Sequence, residues 1–397
     1  MVSKKMEALG IRKSVIREIF EYAKKRKAEI GEENVFDYSI GNPSVAAPED
    51  VKRALLSLLT EIDPVRLHGY TSAQGDLSVR KAIADHLNET YGAEAEADYI
   101  YMTVGAAAAL TISMSAVLND EKEEEIVVFA PFFPEYRVFA EKAGAKLTVV
   151  PCTEPDFQID WNAFERSLNE NTKAVIVNSP NNPTGVVLTE ESVCRLCSIL
   201  KRAEERFSHP IYLISDEPYR DLVYGDVTVP YLTRYYDDTI VCYSFSKSLS
   251  LPGERIGYIL VSPRMQNARS VYAAVLGAGR ALGFVCAPAL FQFMIPYCLG
   301  KTADVSVYEK NRELLYGALR QYGFTCANPD GAFYLFMKSP EKDAYAFCEQ
   351  AKKYELLLVP SDDFGFPGYV RIAYCVTTEQ ILRSLPAFEA LAKDYHL

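Results

Sequence analysis

TIVCYSFSKSLSLPGERIGYILV, residues 239–261, is the stretch on which the reading of this chain turns. Two apolar, strand-like runs, TIVCYSF (239–245) and RIGYILV (255–261), bracket a segment that holds Ser244, Ser246, Lys247 and Arg255. A plain surface turn needs glycine, proline or a small polar residue, and this one carries two hydroxyls and two cations besides. Polar groups gathered at a strand end point to a ligand.

Five further runs of the same kind precede it: YIYMTV (99–104), EIVVFA (125–130), KLTVVPC (146–152), KAVIVN (173–178) and IYLISD (211–216). Most are continuous rather than alternating, as in strands covered on both faces, and helical segments such as ESVCRLCSILKRAEERF (191–207) separate several of them. The pattern predicts an α/β fold, with a large domain built on a central, seven-stranded, mostly parallel sheet sandwiched by helices. From about residue 287 the character changes. A helix over VSVYEKNRELLYGALRQYG (305–323) is followed by GAFYLFMK, LLLVPS and YVRIAYC, and by a closing helix whose Thr377 and Gln380 stand at capping-box spacing. This reads as a smaller α+β domain. The first forty residues, helical to about Lys27, are expected to pack with it, giving a division into 45–286 and 1–44 plus 287–397.

A length of 397 residues suits two domains and a core large enough to shield a site from water. The formal charge of −11, with no block of Lys and Arg, argues against a nucleic-acid partner. The acidic run NDEKEEE (119–125) reads as a solvated loop before a strand. No apolar segment follows the basic N-terminal residues as in a secretory signal, and no stretch has bilayer-spanning length, so no membrane partner is expected. The nine cysteines are odd in number and lie mostly in apolar runs, which suits a reduced, cytoplasmic protein. Cys194 and Cys197 form one CxxC without further ligands nearby, and the four histidines are scattered, so a helix face is the better reading and no metal is expected.

Ligands of open α/β sheets collect beyond the carboxyl ends of the strands. KAVIVN exits into SPNNPTG (179–185), IYLIS into DEPYRD (216–221), and TIVCY into SFSKS. Each alone has a bland explanation: a turn, a helix N-cap at Asp216, a flexible lysine in a hydroxyl-rich loop. Together they describe one site. Ser244 and Ser246 offer hydroxyl donors and Arg255 a planar fork, while VGAAAAL (104–110) opens a helix whose first amides face an anion, so these groups suit a phosphate. Lys247 beside them, its pKa lowered by desolvation and neighbouring charge, is a nucleophile toward an aldehyde. A phosphate-bearing aldehyde is the ligand to expect, and pyridoxal 5'-phosphate (PLP) is the obvious candidate. A buried Asp216 then holds the pyridine nitrogen protonated, Tyr219 and Asn182 hydrogen-bond the ring's phenolic oxygen, and Phe133 rather than Phe132 stacks on its face.

The ordered set Gly105-Ala106, Pro131-x-Phe133, Asn182-Pro183-Thr184-Gly185, Asp216-x-x-Tyr219, Ser244-x-Ser246-Lys247, Arg255 and Arg371 resembles the aspartate-aminotransferase-like, class I/II group of fold-type I PLP enzymes, over nearly the whole chain. The resemblance implies a Schiff base on Lys247, with Asp216 and Tyr219 as its catalytic partners and with Gly105, Ala106 and Ala107 at the phosphate. It implies that Tyr70 is a phosphate ligand given by the other subunit of a homodimer, and that Arg371, helped by Gly41 and Asn182, clamps the substrate's α-carboxylate. The implied reaction moves an amino group between an α-amino acid and a 2-oxo acid, 2-oxoglutarate foremost, by ping-pong kinetics. Two departures bear on the substrate. Ala107 stands where many aspartate-specific relatives carry a lysine, with Arg280 the one alternative distal cation considered, and Ser361 stands where a glycine commonly follows the proline. Rival readings are a PLP-dependent C–S β-lyase of the cystathionine β-lyase type on the same fold, and a non-enzymatic PLP-binding regulator, which the absence of a basic module disfavours. GAGRALG (277–283) misses the dinucleotide fingerprint by one place.

Overall fold

The structure, a computed structural model, describes residues 2–11, 14–119 and 123–397. After a two-residue strand β1 (Phe36–Asp37), all seven apolar runs become strands of one sheet: β2 (Ile100–Thr103), β3 (Glu125–Ala130), β4 (Lys146–Pro151), β5 (Thr172–Asn178), β6 (Tyr212–Asp216), β7 (Thr239–Ser244) and β8 (Gly257–Val261). Their order is β2-β8-β7-β6-β5-β3-β4. Strands β3 to β7 run parallel, and β8 lies antiparallel between β2 and β7. Every residue of β2, β6, β7 and β8 is buried, which is why these runs show no polar alternation. The sheet is covered on one face by the helices Ala106–Val117 and Ala268–Leu282, and on the other by Glu49–Glu61, Leu77–Tyr91, Ala289–Cys298 and Glu190–Phe207.

Four short strands build the remainder. β9 (Tyr334–Lys338), β11 (Val359–Pro360) and β12 (Tyr369–Ala373) form an antiparallel sheet in the order β11-β12-β9, and β10 (Leu356–Leu357) pairs in parallel with β1. Val370 and Ile372 pack against the helices Val305–Gln321 and Thr378–Asp394. Thr377 caps the latter by accepting from the amide of Gln380, while the Gln380 side chain donates to Asp37 O rather than closing the reciprocal half of a capping box. The N-terminal region forms helices Lys4–Ile11 and Val15–Ile30, and the second lays Ile19 and Ala23 on Leu357, Val359 and Phe364. The helix Ala289–Cys298, beyond residue 286, buries Met294 and Ile295 among Val51, Leu58 and Ile83, on the side of the large sheet.

Several local readings resolve. Cys194 is exposed and Cys197 buried on one helix, and all nine cysteines are free. Gly277 and Gly279 lie inside the helix Ala268–Leu282, with Gly283 ending it in the left-handed region at φ 77°, so GAGRALG is a helix terminus and no dinucleotide loop. Of the acidic run at 119–125, Asp120, Glu121 and Lys122 lie outside the described residues. Among the described residues no helix is long and apolar enough to cross a membrane, and no three His, Cys, Asp or Glu side chains group as metal ligands.

One glycine fixes the strand ends. Gly257 pairs with Ser244 on β7 and with Thr103 on β2, and a Cβ added there would run into the carbonyl oxygen of Tyr243 and lie 3.2 Å from the Cα atoms of Gly105 and Ser244. The clash is with backbone, which cannot swing aside. Gly257→Ala is expected to destabilise the fold by about 1–3 kcal/mol, the range for overpacked sites, as measured by urea unfolding; unchanged stability would show that the strand ends are looser than this register requires.

Candidate active site

The carboxyl ends of β5, β6 and β7 lie side by side: Asn178 pairs with Asp216, and Asp216 with Cys242. Beyond them opens a cavity of about 300 Å³. Ala106, Ala107, Phe133, Asn182, Asp216, Tyr219, Ser244, Ser246, Lys247, Arg255, Gly41 and Arg371, expected from the sequence to form one site, all line it. Gly105 sits just behind the wall, at φ 90°, where a Cβ would come within 2.7 Å of the Arg255 guanidinium. Tyr70 does not reach the cavity of its own chain and is 95% exposed.

At one end of the cavity Ser244 Oγ and Ser246 Oγ lie 2.7 Å apart, and Arg255 donates to Pro252 O at 3.0 Å and to Ser246 Oγ at 3.5 Å. The helix Ala106–Val117 begins here, and the amide of Ala109 is its first to reach back, to Gly105 O. The preceding amides are free to face an anion. Lys247, one turn into the short helix Phe245–Ser248, donates through Nζ to Gly41 O at 2.5 Å. Burial lowers its pKa to about 8; Cys375 works against this shift, and Arg371 and Arg255 add to it. A substantial fraction of this amine is therefore neutral, and nucleophilic, near pH 8.

Asp216 ends β6 and is fully buried; the residues after it form a turn, so the expected helix cap is not the reason for an aspartate here. Burial pushes its carboxyl up to about 7, against the opposing effect of Tyr136, whose hydroxyl donates to Oδ2 at 2.5 Å. Oδ1 is buried without a hydrogen-bond partner. Asn178 holds the neighbouring loops by donating to Asp216 O and accepting from the amide of Asn182. Tyr219 arrives by that turn. Its hydroxyl lies 2.9 Å from that of Tyr334, and burial raises its pKa. Phe133 lines the cavity, while Phe132 is buried behind it, stacked on Tyr136.

Arg371 projects from β12 in the small sheet. It is 2% exposed, and burial lowers its pKa. It donates to Asn182 Oδ1 at 3.1 Å and to Ser39 O at 2.5 Å, stands over the ring of Tyr334 at 4.8 Å, and leaves Nε buried and unpartnered. Gly41 is confined by the Tyr334 hydroxyl, which occupies the space a Cβ would need. Ser361, expected to alter a nearby loop, has an ordinary φ of −90° and ties that loop down by donating to Phe366 O and accepting from the amide of Tyr369. Arg280 is exposed and outside the cavity.

Residues that the sequence reading did not single out are Tyr136, Asn178 and Tyr334, with Ile16 and Ile40 at the mouth. Asn178 was findable as the last residue of a strand run. Tyr334 lies in GAFYLFMK, where nothing but the fold says which aromatic faces the cavity.

The model of the family "Aminotransferase class I and II" matches residues 33–388. The chain is 29% identical over 394 residues to the aspartate aminotransferase of Thermotoga maritima, with 98% of each covered, and 27% identical to aromatic-amino-acid aminotransferase 2 of Thermococcus litoralis, with 97% of each covered. It superposes on the crystal structure of an amino transferase from Eubacterium rectale with a TM-score of 0.98 at 52% identity, over the full length of both.

The state of Asp216 has a consequence for the cofactor-free protein. Its folded pKa, about 7, lies above the ordinary value of 3.8, so between these pH values the folded chain holds a proton that the unfolded chain has lost, and its contribution to stability falls as pH rises through that window. Asp216→Asn should flatten that fall. Tyr136→Phe, which removes the bond favouring the anion, should extend it above pH 7; urea unfolding followed from pH 4 to 9 measures both, and superimposable curves for the three proteins would contradict the assignment.

Proposed function

The chain belongs to the class I and II aminotransferase family, PLP-dependent transaminases of fold type I, and from that premise we propose which of its residues carry the reaction and on what substrates. The observation that carries the proposal is the lodging, in one cavity, of a lysine amine with lowered pKa, an unpartnered aspartate oxygen and an unpartnered arginine Nε.

The donor set fits PLP. Ser244, Ser246, Arg255 and the amides at Gly105, Ala106 and Ala107 would hold its phosphate, Asp216 Oδ1 its pyridine nitrogen, Tyr219 and Asn182 its phenolic oxygen, and Phe133 its ring face. When bound, PLP supplies an aldehyde for the amino group and an electron-accepting ring that stabilises negative charge developing at the substrate's α-carbon.

In this reading the chain's own residues do four things. Arg371 binds the α-carboxylate through its fork and, with the backbone at Gly41 and the Asn182 side chain, fixes the direction of the α-carbon–hydrogen bond. Lys247 Nζ, free to be neutral near pH 8, takes the proton from the α-carbon and later delivers it, acting as anchor and base in turn. Asp216 stays anionic against a cationic partner, with Tyr136 holding its other oxygen. Tyr334 spans Tyr219 and Arg371, so that the groups at cofactor and substrate ends share a wall.

The cavity has one carboxylate clamp, so the amino donor and the oxo-acid acceptor take it in turn, which supports ping-pong kinetics. We propose 2-oxoglutarate as the acceptor. Among the described residues the only cations lining the cavity are Lys247, Arg255 and Arg371, so aspartate is not favoured as sole donor, and a second carboxylate would have to be met from beyond this lining. The proposal includes a cytoplasmic homodimer in which the exposed Tyr70 reaches the phosphate of the neighbouring site. It also includes a two-domain division at about residues 45–286 against 1–44 and 287–397, with the helix Ala289–Cys298 riding on the large sheet.

A panel of amino acids assayed against 2-oxoglutarate and pyruvate tests the activity, with release of pyruvate and ammonia from cystathionine without acceptor diagnosing β-elimination instead. Lys247→Ala should lose the borohydride-fixed link to PLP and slow proton transfer on the order of 10²–10⁴-fold; a trapped adduct on the variant would refute the role. Arg371→Ala should retain PLP while raising the KM for the amino acid at least about tenfold, about 1.4 kcal/mol. An unchanged KM across several donors would remove Arg371 from the carboxylate site.

A further inference from the structure

Arg371 is held from behind by a stretch of chain that has no ladder of its own. Tyr38 is still paired on both sides, its amide donating to Leu357 O at 3.1 Å and its carbonyl oxygen accepting from the amide of Ala373 at 2.9 Å. Beyond it, among the described residues, no backbone–backbone hydrogen bond holds Ser39, Ile40 or Gly41. Yet each of their carbonyl oxygens has a partner: Ser39 O accepts from Arg371 at 2.5 Å, Ile40 O lies 3.6 Å from the Cys375 thiol, and Gly41 O accepts from Lys247 at 2.5 Å. Something other than the sheet aims them.

The group placed to do so is Asp37, the last residue of β1. Its Oδ1 accepts from the Ser39 amide at 3.0 Å and from the Ser39 hydroxyl at 2.6 Å, the geometry of an Asx-turn. Ser39 is fully buried and Asp37 nearly so. The second oxygen of Asp37 accepts from Lys27 at 3.4 Å. Lys27 belongs to the helix Val15–Ile30, whose Ile16 stands at the cavity mouth, so one carboxylate ties the helix over the mouth to the chain behind Arg371.

The indirectness has a physical reason. A carboxylate set directly on Arg371 would compete with the substrate's own for the same fork. The charge of Asp37 is met by Lys27, and what reaches Arg371 is a neutral carbonyl, which holds one arm of the guanidinium and leaves Nε unpartnered. A planar fork receives a carboxylate through two bonds only when its plane is fixed.

We propose that Asp37 is a positioning residue for substrate binding, acting through Ser39 to aim Arg371 at the α-carboxylate. This role rests on that of Arg371 as the clamp. Aminooxyacetate and methoxyamine, mixed separately with the PLP-loaded protein and followed by cofactor absorbance, test it. Both condense with the aldehyde through the same oxyamine nitrogen, and only the first carries a carboxylate. The ratio of their second-order rate constants therefore reports how well a carboxylate is received, whatever amino acid the enzyme prefers, while general damage to fold or cofactor slows both alike.

The ratio should fall at least about tenfold in Asp37→Ala, as for a lost hydrogen bond to a charged group, and at least as far in Arg371→Ala. Asp37→Asn keeps an oxygen for both Ser39 bonds and should restore the ratio of the unaltered protein. Ser39→Ala, which loses one of the two bonds, should lower the ratio about threefold and carries the test if Asp37→Ala fails to fold. A ratio unchanged in Asp37→Ala, or in Ser39→Ala standing in for it, while Arg371→Ala loses it, would overturn this role alone. Asp37→Asn as impaired as Asp37→Ala would do the same, since the bonds to Ser39 would not be what matters. A ratio unchanged in Arg371→Ala would remove the clamp, and the role of Asp37 with it.

Discussion

The register of the large sheet is the constraint from which the site follows. Asn178, Asp216 and Cys242 are neighbours across β5, β6 and β7, and Ser244, Gly257 and Thr103 across β7, β8 and β2. With strands roughly 4.8 Å apart, the residues leaving these ends are bound to meet at one edge. A slip of one residue in β6 would exchange Asp216 for Ser215 and turn the carboxylate to the opposite face, away from the active-site cavity. The packing on which the register rests is mostly apolar, so the chemistry at the edge depends on valines and isoleucines that take no part in it.

Burial then sets the character of the groups delivered there. Asp216, Lys247 and Arg371 are each displaced toward the uncharged form by the loss of water. A fold selected for stability alone would pair these charges directly. Here each is held by a neutral partner instead: Tyr136 for the aspartate, Gly41 O for the lysine, Asn182 and Ser39 O for the arginine. Neutral partners orient a charged group without cancelling it, and leave Asp216 Oδ1 and Arg371 Nε unmet. A ligand that meets them binds the folded chain alone, so its affinity adds to stability by mass action. Protein and ligand together complete one polar network, the condition under which buried polar groups cease to be a liability.

Much of this was legible because the large sheet is locally written. Continuous apolar runs gave seven strands, and their polar exits gave Asn182, Asp216, Ser244, Ser246, Lys247 and Arg255, since an α/β sheet places its strand ends together whatever their order. What local pattern does not encode is pairing between distant segments. The insertion of β8 between β2 and β7, which brings Arg255 against Gly105, has no signature in either segment. Tyr334 and Arg371 come from the small sheet, and only the docking of β9 and β12 beside Tyr219 gives them a place. Tyr136 is a tyrosine among aromatics until Asp216 is known to lie opposite. The reading of Asp216 as a possible helix cap failed because a proline two residues on is equally at home in the tight turn that forms.

Strand β7 also works as a partition. Alternation sends Cys242 toward one helical layer and Tyr243 toward the other, and the short helix that follows continues the division: Ser246 and Lys247 turn to the first side, Phe245 and Ser248 to the second. The aspartate that ends β6 and the one in the loop after it are divided in the same way, Asp216 facing the active-site cavity and Asp221 a separate one behind the Lys247 turn. Each is gripped by a tyrosine hydroxyl at 2.5 Å, Tyr136 in one case and Tyr243 in the other. The peptide joining Lys247 to Ser248 thus belongs to both walls. A four-residue helix has too few internal hydrogen bonds to hold its own orientation, so the direction of the Lys247 side chain is set by what fixes its two sides. On the far side that anchor is the chain of hydroxyls from Ser248 through Tyr243 to Asp221, a polar contact between the loops after β6 and β7 that the sheet itself does not require.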